Sequence, residues 1–388
     1  MRRSLQNIIG HYLPCRPVLL LGCLVVAFLL SSCKDDGGED GQVRVIFTTL
    51  LPKNLSDSTL KTRAIATNES TINTLSYFLF DADGVNIGST FVPKPVIQEG
   101  GKYNAEIATR ENDQTEIYVI ANLDEATYNS IINQQQADAL VANADLNDTG
   151  TNEAYLFSKL GPVPISLGHT AYTLELDRIY AKLDFDIKVS DAMKDRLKIT
   201  EVKLHEVPTS TYISDANIVS VSGSPSTVSS ALSPAYLTSS WTSDITLPVT
   251  DGNACTATYY TYENIVGNPK GTVTKATDRN KDNAPDHATY ITIKAEYYDR
   301  PMTETGATAV QHSTYRAYVG GKDFTETSGS YADFNIYRNH HYTYKVNING
   351  TGWNDVRVEF TSNAAVGAWT GYIGQWETDS NEHNVSGN

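Results

Sequence analysis

The residue with the clearest chemistry in this 388-residue chain is a cysteine that ends a short apolar segment. Cys33 follows a leucine and two serines, and the apolar segment covers residues 18–30, with three arginines before it. A helix needs about 20 apolar residues to cross a membrane, so this segment is too short to span one. The order of these parts predicts a lipoprotein signal peptide at residues 1–32 and a lipid attached to Cys33.

Residues 34–40, directly after this cysteine, are charged and contain two glycines. They cannot bury enough apolar surface to fold, and we interpret them as a tether. An acidic segment at this place resembles the surface-export signal of Bacteroidota lipoproteins. A solvated linker would have the same composition, so both interpretations stay open.

No combination of residues in the sequence predicts catalysis. G-x-S-x-G, Walker-type, H-E-x-x-H and C-x-x-C motifs are missing from the sequence. His340 and His341 are adjacent, and neighbours on a strand point to opposite faces, so they cannot bind one metal together. Cys255 lies next to a tyrosine-rich strand pattern and is expected to be a buried small hydrophobic residue. We therefore expect no enzyme, no catalytic residue, no cofactor and no metal.

The polar loop at residues 278–286 matches the start of a calcium-binding loop. Side-chain oxygens stand at loop positions 1, 3, 5 and 9, as in an EF-hand. Position 6 is Asn283 instead of glycine, and position 12 is Thr289 instead of glutamate. A turn-forming connection is the better interpretation, and calcium binding is the alternative.

Composition and periodicity favour strands. The chain has 23 tyrosines and long segments of period-two alternation, which are typical of β-structure. The formal net charge of −15 argues against nucleic acid as a partner. One convincing helix is predicted after Asp124, with Tyr128, Ile131 and Ile132 on one face and the apolar spacing continuing to Leu140.

The economical architecture is all-β, with two β-sandwich domains and one or two short helices in the first. We place the N-terminal domain at residues 42–177 and the C-terminal domain at residues 178–388. The serine- and threonine-rich residues 208–241 are expected to form an exposed loop.

Six segments, taken in order, resemble the fimbrillins, the fimbrial subunits of Bacteroidales. They are the lipoprotein site at Cys33 and residues 117–122, 178–183, 259–264, 337–342 and 365–371. The resemblance implies two transthyretin-like β-sandwich domains and a lipidated precursor at the outer membrane and cell surface. It also implies that an arginine-specific protease removes the first strand, and that a C-terminal strand of another fimbrial subunit then takes its place. The partners would be copies of the same subunit or tip and anchor proteins, in an adhesive extracellular fimbrium.

Within this scheme residues 33–63 form the propeptide, which holds the tether, the first strand and a cleavable loop. Residues 53–63 are polar and follow a proline. They end at Arg63, so the predicted cleavage lies between Arg63 and Ala64. An ordinary loop arginine is the alternative for Arg63.

The candidate donor strands lie within residues 355–376. Two strand-like segments, 356–360 and 364–376, follow the last predicted strand of the second domain. The donor residues would be Val356, Val358, Phe360, Val366 and Trp369. Residues 356–360 also repeat four of the five residues at 43–47, a match that chance alone can produce. The alternative is that both segments simply add strands to the C-terminal domain.

Two other functions stay open. The polar tail at residues 377–388 extends beyond the point where a shaft subunit is expected to end, which would suit a tip or anchor subunit that donates no strand. A surface lipoprotein that binds glycans through exposed aromatic residues is the alternative from another class.

Overall fold

The computed structural model describes residues 42–51, 72–98, 101–147, 154–167, 170–214, 241–242, 245–275, 278–321, 331–350, 358–364 and 367–373. Most of these residues lie in β-strands. The predicted all-β class is confirmed.

The first part of the chain forms a sandwich of two sheets. Its elements are β1 (Gln42–Leu50), β2 (Thr74–Phe80), β3 (Asn86–Pro93), β4 (Lys102–Arg110), β5 (Asn112–Ala121), α1 (Glu125–Ser130), α2 (Gln134–Asp138), β6 (Val141–Ala142), β7 (Leu156–Ile165), β8 (Ala171–Glu175) and β9 (Asp177–Arg178). One sheet has the strand order β3-β2-β5-β7-β9 and the other has the order β4-β1-β8. Buried side chains from both sheets pack together as one hydrophobic core.

Strand β2 shows how the sequence fits this sandwich. Six consecutive residues of β2, from Leu75 to Phe80, are buried, because the strand packs on both faces. Tyr77 and Leu79 point into the core between the two sheets. Phe78 and Phe80 belong to a second cluster on the other side of the sheet, which also contains Ile131 and Ala137 from the helical region.

The helical region consists of two short helices instead of one longer helix. Asp124 caps α1 as predicted, since its carboxylate accepts a hydrogen bond from the Thr127 N–H at 2.9 Å. Asn133 then caps α2 in the same way, by accepting from the Gln136 N–H at 2.9 Å. The second cap interrupts the helical periodicity, so the prediction that Ile132 shares the buried face is wrong: Ile132 is 67% exposed.

The second part of the chain forms another sandwich. Its elements are β10 (Tyr180–Val189), β11 (Leu197–His205), β12 (Val207–Pro208), β13 (Thr211–Tyr212), β14 (Trp241–Thr242), β15 (Ile245–Leu247), β16 (Ala254–Tyr262), β17 (Tyr290–Tyr298), β18 (Ala309–Tyr318), β19 (His341–Ile348), β20 (Val358–Ala364) and β21 (Gly367–Ile373). The two main sheets have the orders β16-β10-β19-β20-β21 and β15-β11-β17-β18. The predicted inward set on β10, Leu183 through Val189 at alternate positions, lies in the core between these sheets.

The two sandwiches meet at a joint built from aromatic and charged side chains. Tyr260 and Tyr262 of β16 pack in the cluster that covers the outer face of β2 and β5. Arg338 donates through Nε to Glu263 Oε2 at 2.9 Å, and through its two Nη groups to the backbone oxygens of residues 212 and 213. Asn339 donates from Nδ2 to Asp177 Oδ1 at 2.6 Å. Three of the segments singled out by sequence, 178–183, 259–264 and 337–342, therefore converge at this joint.

We predict that Arg338→Ala lowers the free energy of unfolding by about 3–5 kcal/mol, because it leaves the carboxylate of Glu263 buried without its cation. The side chains of Arg338 and Glu263 are only 17% and 4% exposed. Arg44→Ala is the matched control, since the Arg44–Glu106 pair is 79% and 53% exposed. Its loss should cost about 1 kcal/mol or less. Urea denaturation measures both variants, and equal losses would contradict a structural role for the joint.

Candidate functional site at the first strand

Strand β1 occupies the middle of its sheet, between β4 and β8. It runs parallel to β8, with Ile46 opposite Ala171 and Leu50 opposite Glu175. The Ile46 N–H also donates to the Thr170 oxygen at 2.7 Å, and the Leu51 N–H donates to the Gly101 oxygen at 2.9 Å. β1 begins at the first described residue and is an interior strand of its sheet. Its removal would leave a groove bordered by the unpaired edges of β4 and β8.

Four side chains of β1, at alternate positions, form its inner face. Val43 is 2% exposed, and Val45, Phe47 and Thr49 are fully buried. The three apolar side chains pack in the core of the first sandwich. Burial of an aliphatic or aromatic side chain of this size contributes about 1.5–3 kcal/mol, so these residues fix the strand and its register.

Two aromatic rings pack against the inner face of β1. The ring of Phe47 lies 5.9 Å from that of Tyr77 and 6.1 Å from that of Tyr172, between centroids. The Tyr77 hydroxyl hydrogen-bonds with the Thr49 hydroxyl at 2.8 Å. Burial raises the pKa of Tyr77, so this phenol stays protonated at physiological pH. Periodicity predicts that β1 has a buried face, but nothing local in the sequence indicates that Tyr77 is its partner.

The outer face of β1 lies at the surface. Arg44 and Glu106 form an exposed ion pair at 3.0 Å. Ile46 is 49% exposed, although it is a large aliphatic residue in the middle of a strand. The outer positions therefore constrain the strand much less than the inner positions do.

Several predicted site residues lie outside the described part of the chain. They are the lipidation site Cys33, the cleavage residues Arg63 and Ala64, and the donor residues Val356 and Val366. The lipidation, cleavage and donor assignments stay predictions.

The remaining donor residues are in strands at the end of the second sandwich. Val358 and Phe360 belong to β20 and Trp369 belongs to β21. β20 pairs antiparallel with β19, with Phe360 opposite Val346, and β21 pairs with β20. In this conformation the two strands extend one edge of the C-terminal sheet, which is the arrangement of the alternative interpretation. They are the two outermost strands on that side of the sheet, and β10 pairs directly with β19.

The side-chain oxygens of the polar loop at residues 278–286 form hydrogen bonds and an ion pair with nearby residues. Asp278 Oδ2 accepts from the N–H groups of Thr274 and Lys275 at 3.0 and 3.2 Å, and these bonds lower its pKa. Asn280 Oδ1 accepts from two backbone N–H groups, and Asp286 pairs with Lys270 at 2.5 Å. The geometry is that of a turn-forming connection. Among the described residues, no group of three or more histidine, cysteine, aspartate or glutamate side chains is placed to hold a metal ion.

The other residues considered for chemistry have structural partners. His341 Nε2 bonds to Asp184 Oδ2 at 2.6 Å, whereas His340 Nδ1 bonds to the Arg338 oxygen at 2.7 Å. Cys255 is fully buried, as predicted, and burial raises its pKa to about 12. Within the described ranges, no helix is long and apolar enough to span a membrane.

The architecture defines the class of protein: two consecutive β-sandwiches, the first of which carries its N-terminal strand in the interior of a sheet. Residues 259–346 match a family model described as "Domain of unknown function (DUF4906)". No curated protein is significantly similar in sequence.

Solved structures of fimbrial proteins are similar to this chain. The tip fimbrial protein Mfa3 from Porphyromonas gingivalis, solved with a C-terminal truncation, has a TM-score of 0.52 at 15% identity, covering 84% of this chain and 100% of that chain. A fimbrilin from Porphyromonas gingivalis has a TM-score of 0.48 at 14% identity, with coverages of 84% and 98%. A fimbrial assembly protein from Parabacteroides distasonis has a TM-score of 0.44 at 13% identity, with coverages of 85% and 99%. The similarity to Mfa3 shows that this chain has the same fold, and the predicted fimbrillin resemblance is confirmed at that level.

We predict that Phe47→Ala lowers the free energy of unfolding by about 3–5 kcal/mol, because it opens a cavity against two aromatic rings. Ile46→Ala, one residue away on the exposed face, should cost less than about 1 kcal/mol. Urea denaturation followed by tyrosine fluorescence measures both. Comparable losses for the two variants would contradict the assigned orientation of β1.

Proposed function

We propose that this chain is a structural subunit of a surface fimbria that is exported as a lipoprotein precursor and assembled by exchange of its first strand. The single observation that carries the proposal is the position of β1, which fills the interior of a sheet while Arg63 follows it by only a short polar segment. The shared fold with a tip fimbrial protein supports it.

In the proposed route, lipid on Cys33 holds the precursor at the outer membrane while β1 completes the first sandwich. An arginine-specific protease then cuts between Arg63 and Ala64. The bond lies outside the folded strand, so cleavage does not itself break the pairing of β1 with β4 and β8. It does remove the covalent link that returns β1 to its own groove.

Strand replacement then links subunits. A strand from a second copy supplies the same kind of backbone hydrogen bonds as β1, and its alternate side chains fill the same core. An unoccupied groove would be an aggregation-prone edge, which explains why the precursor keeps its own strand until assembly. The chain acts in this scheme as a binding partner and not as an enzyme.

The strands β20 and β21 bear on whether the subunit occupies the shaft or the end of the fimbria. A shaft subunit has to donate a strand as well as receive one, and β20 and β21 lie at a sheet edge from which donation is feasible. A tip or anchor subunit shares the precursor and the groove and needs no donor. The proposed partners of this chain are further fimbrial subunits, the arginine-specific protease and, before maturation, membrane lipid.

The alternative, glycan binding through exposed aromatic residues, lacks support from the surface. Among the described residues with known exposure, the strongly exposed large hydrophobic side chains are isoleucine, leucine and valine, and none is aromatic. Tyrosine rings instead pack against other aromatic rings, as in the pairs Phe80–Tyr118 and Tyr342–Tyr344, whose ring centroids are 5.3 and 6.2 Å apart. Those rings hold the fold together.

We predict that assembled material begins at Ala64. Arg63→Ala should leave the lipidated precursor unprocessed, because an arginine-directed protease then has no arginine at this position. Lys61→Ala, which removes a positive charge two residues earlier, is the control and should be processed normally. N-terminal sequencing of the purified fimbriae gives the answer, and a start at lipidated Cys33 would exclude a shaft role and favour an anchor.

We also predict that removal of residues 355–388 yields folded monomers that do not polymerise after cleavage, since β20 and β21 are edge strands. Removal of residues 377–388 alone takes away the polar tail, keeps both strands and should leave polymerisation intact. Size-exclusion chromatography and electron microscopy distinguish the two. Polymers formed by the larger truncation would show that the donor lies elsewhere.

A further inference from the structure

The inner face of β1 carries one polar group, the hydroxyl of Thr49. Thr49 and Tyr77 are both fully buried, and their hydroxyls bond to each other at 2.8 Å. Within the described part of the chain, Thr49 is the hydrogen-bond partner of the Tyr77 hydroxyl. A strand with an apolar residue at this place would leave that hydroxyl buried and unpaired, whereas a serine or threonine would satisfy it.

Residues 356–362 repeat the sequence pattern of the inner face of β1. Val356, Val358, Phe360 and Ser362 have the same order and spacing as Val43, Val45, Phe47 and Thr49. The three apolar positions are identical, and the fourth keeps a hydroxyl. The correspondence therefore extends two residues beyond the five-residue repeat and reaches the position that Tyr77 contacts.

The outer-face positions explain the one dissimilar residue. Arg357 and Thr361 are identical to their counterparts Arg44 and Thr48. The remaining pair is Glu359 and Ile46, and Ile46 is 49% exposed. A carboxylate at this position remains in contact with water, so it does not hinder the fit. The segments differ in character only at an outer-face position, where the side chain of Ile46 is 49% exposed.

We propose that Tyr77 is the specificity-determining residue of the β1 groove. The groove accepts residues 356–362 of a second copy in the register that puts Ser362 at the place of Thr49 and Phe360 at the place of Phe47. The exchange between copies rests on the proposed function. The selectivity of the groove for a hydroxyl at this position does not, because it is already built into the intact chain.

The fit can be tested in the intact chain without cleavage or polymerisation. Ile46→Glu combined with Thr49→Ser gives β1 the sequence of residues 356–362. This variant should fold cooperatively, with an equilibrium constant for unfolding within about tenfold of the unmodified chain, since only a buried methyl group and an exposed side chain change. Failure to fold, or a hundredfold larger constant, would overturn the fit.

The hydroxyl requirement is tested by a double-mutant cycle in urea. Thr49→Val keeps the side-chain shape and removes the hydroxyl, and it should raise the unfolding constant about tenfold when Tyr77 is present. In the Tyr77→Phe background the same change should have little effect. Equal effects of Thr49→Val in both backgrounds would show that Tyr77 does not select for a hydroxyl.

The register in the polymer is tested with Ser362 in the full-length chain after arginine-specific cleavage. Ser362→Thr keeps the hydroxyl and should give polymers as persistent as the unmodified ones. Ser362→Val should give polymers that dissociate about tenfold faster on dilution into detergent. Equal dissociation would overturn the register. If the unmodified chain forms no polymer while the cycle shows coupling, the fimbrial function fails and the selectivity of the groove stands.

Discussion

The fold of the first sandwich depends on the pairing of backbone groups on both sides of β1. A strand in the interior of a sheet satisfies the N–H and C=O groups of two neighbours, and buried backbone groups cannot remain unpaired without a substantial cost. Among the described strands, β1 is the one that joins β4 to β8 in their sheet. The three-stranded sheet, and the core that it covers, therefore require an occupant at that position.

A second constraint acts where the sandwiches meet. The aromatic cluster around Tyr260 and Tyr262 covers the outer face of the first sandwich, and Arg338 binds a buried carboxylate as well as two backbone oxygens beside it. Such contacts have strict geometry, because a guanidinium group is planar and its donors are fixed in direction. The two sandwiches are thus connected by directional hydrogen bonds as well as by apolar packing.

The sequence was sufficient for features that depend on neighbouring residues. Alternation predicted the buried faces of β1 and β10, Asp124 was identified as a helix cap, and Cys255 was expected to be buried. Other features depend on residues far apart in the chain. The second cap at Asn133 interrupts the helical periodicity, so the apolar spacing after Asp124 predicts one helix where the structure has two, although one or two short helices are expected in this domain. The contact between Thr49 and Tyr77 spans 28 residues and arises from strand order, which single-residue patterns do not encode.

The outer face of β1 forms part of the solvent-facing surface of the first sandwich. Alternate residues of an interior strand form part of the solvent-facing row of its sheet, as Arg44 and Ile46 do here. Under the proposed exchange, the chain that supplies this strand would also supply these solvent-facing residues. Part of the outer surface of the first sandwich would then come from the donor subunit.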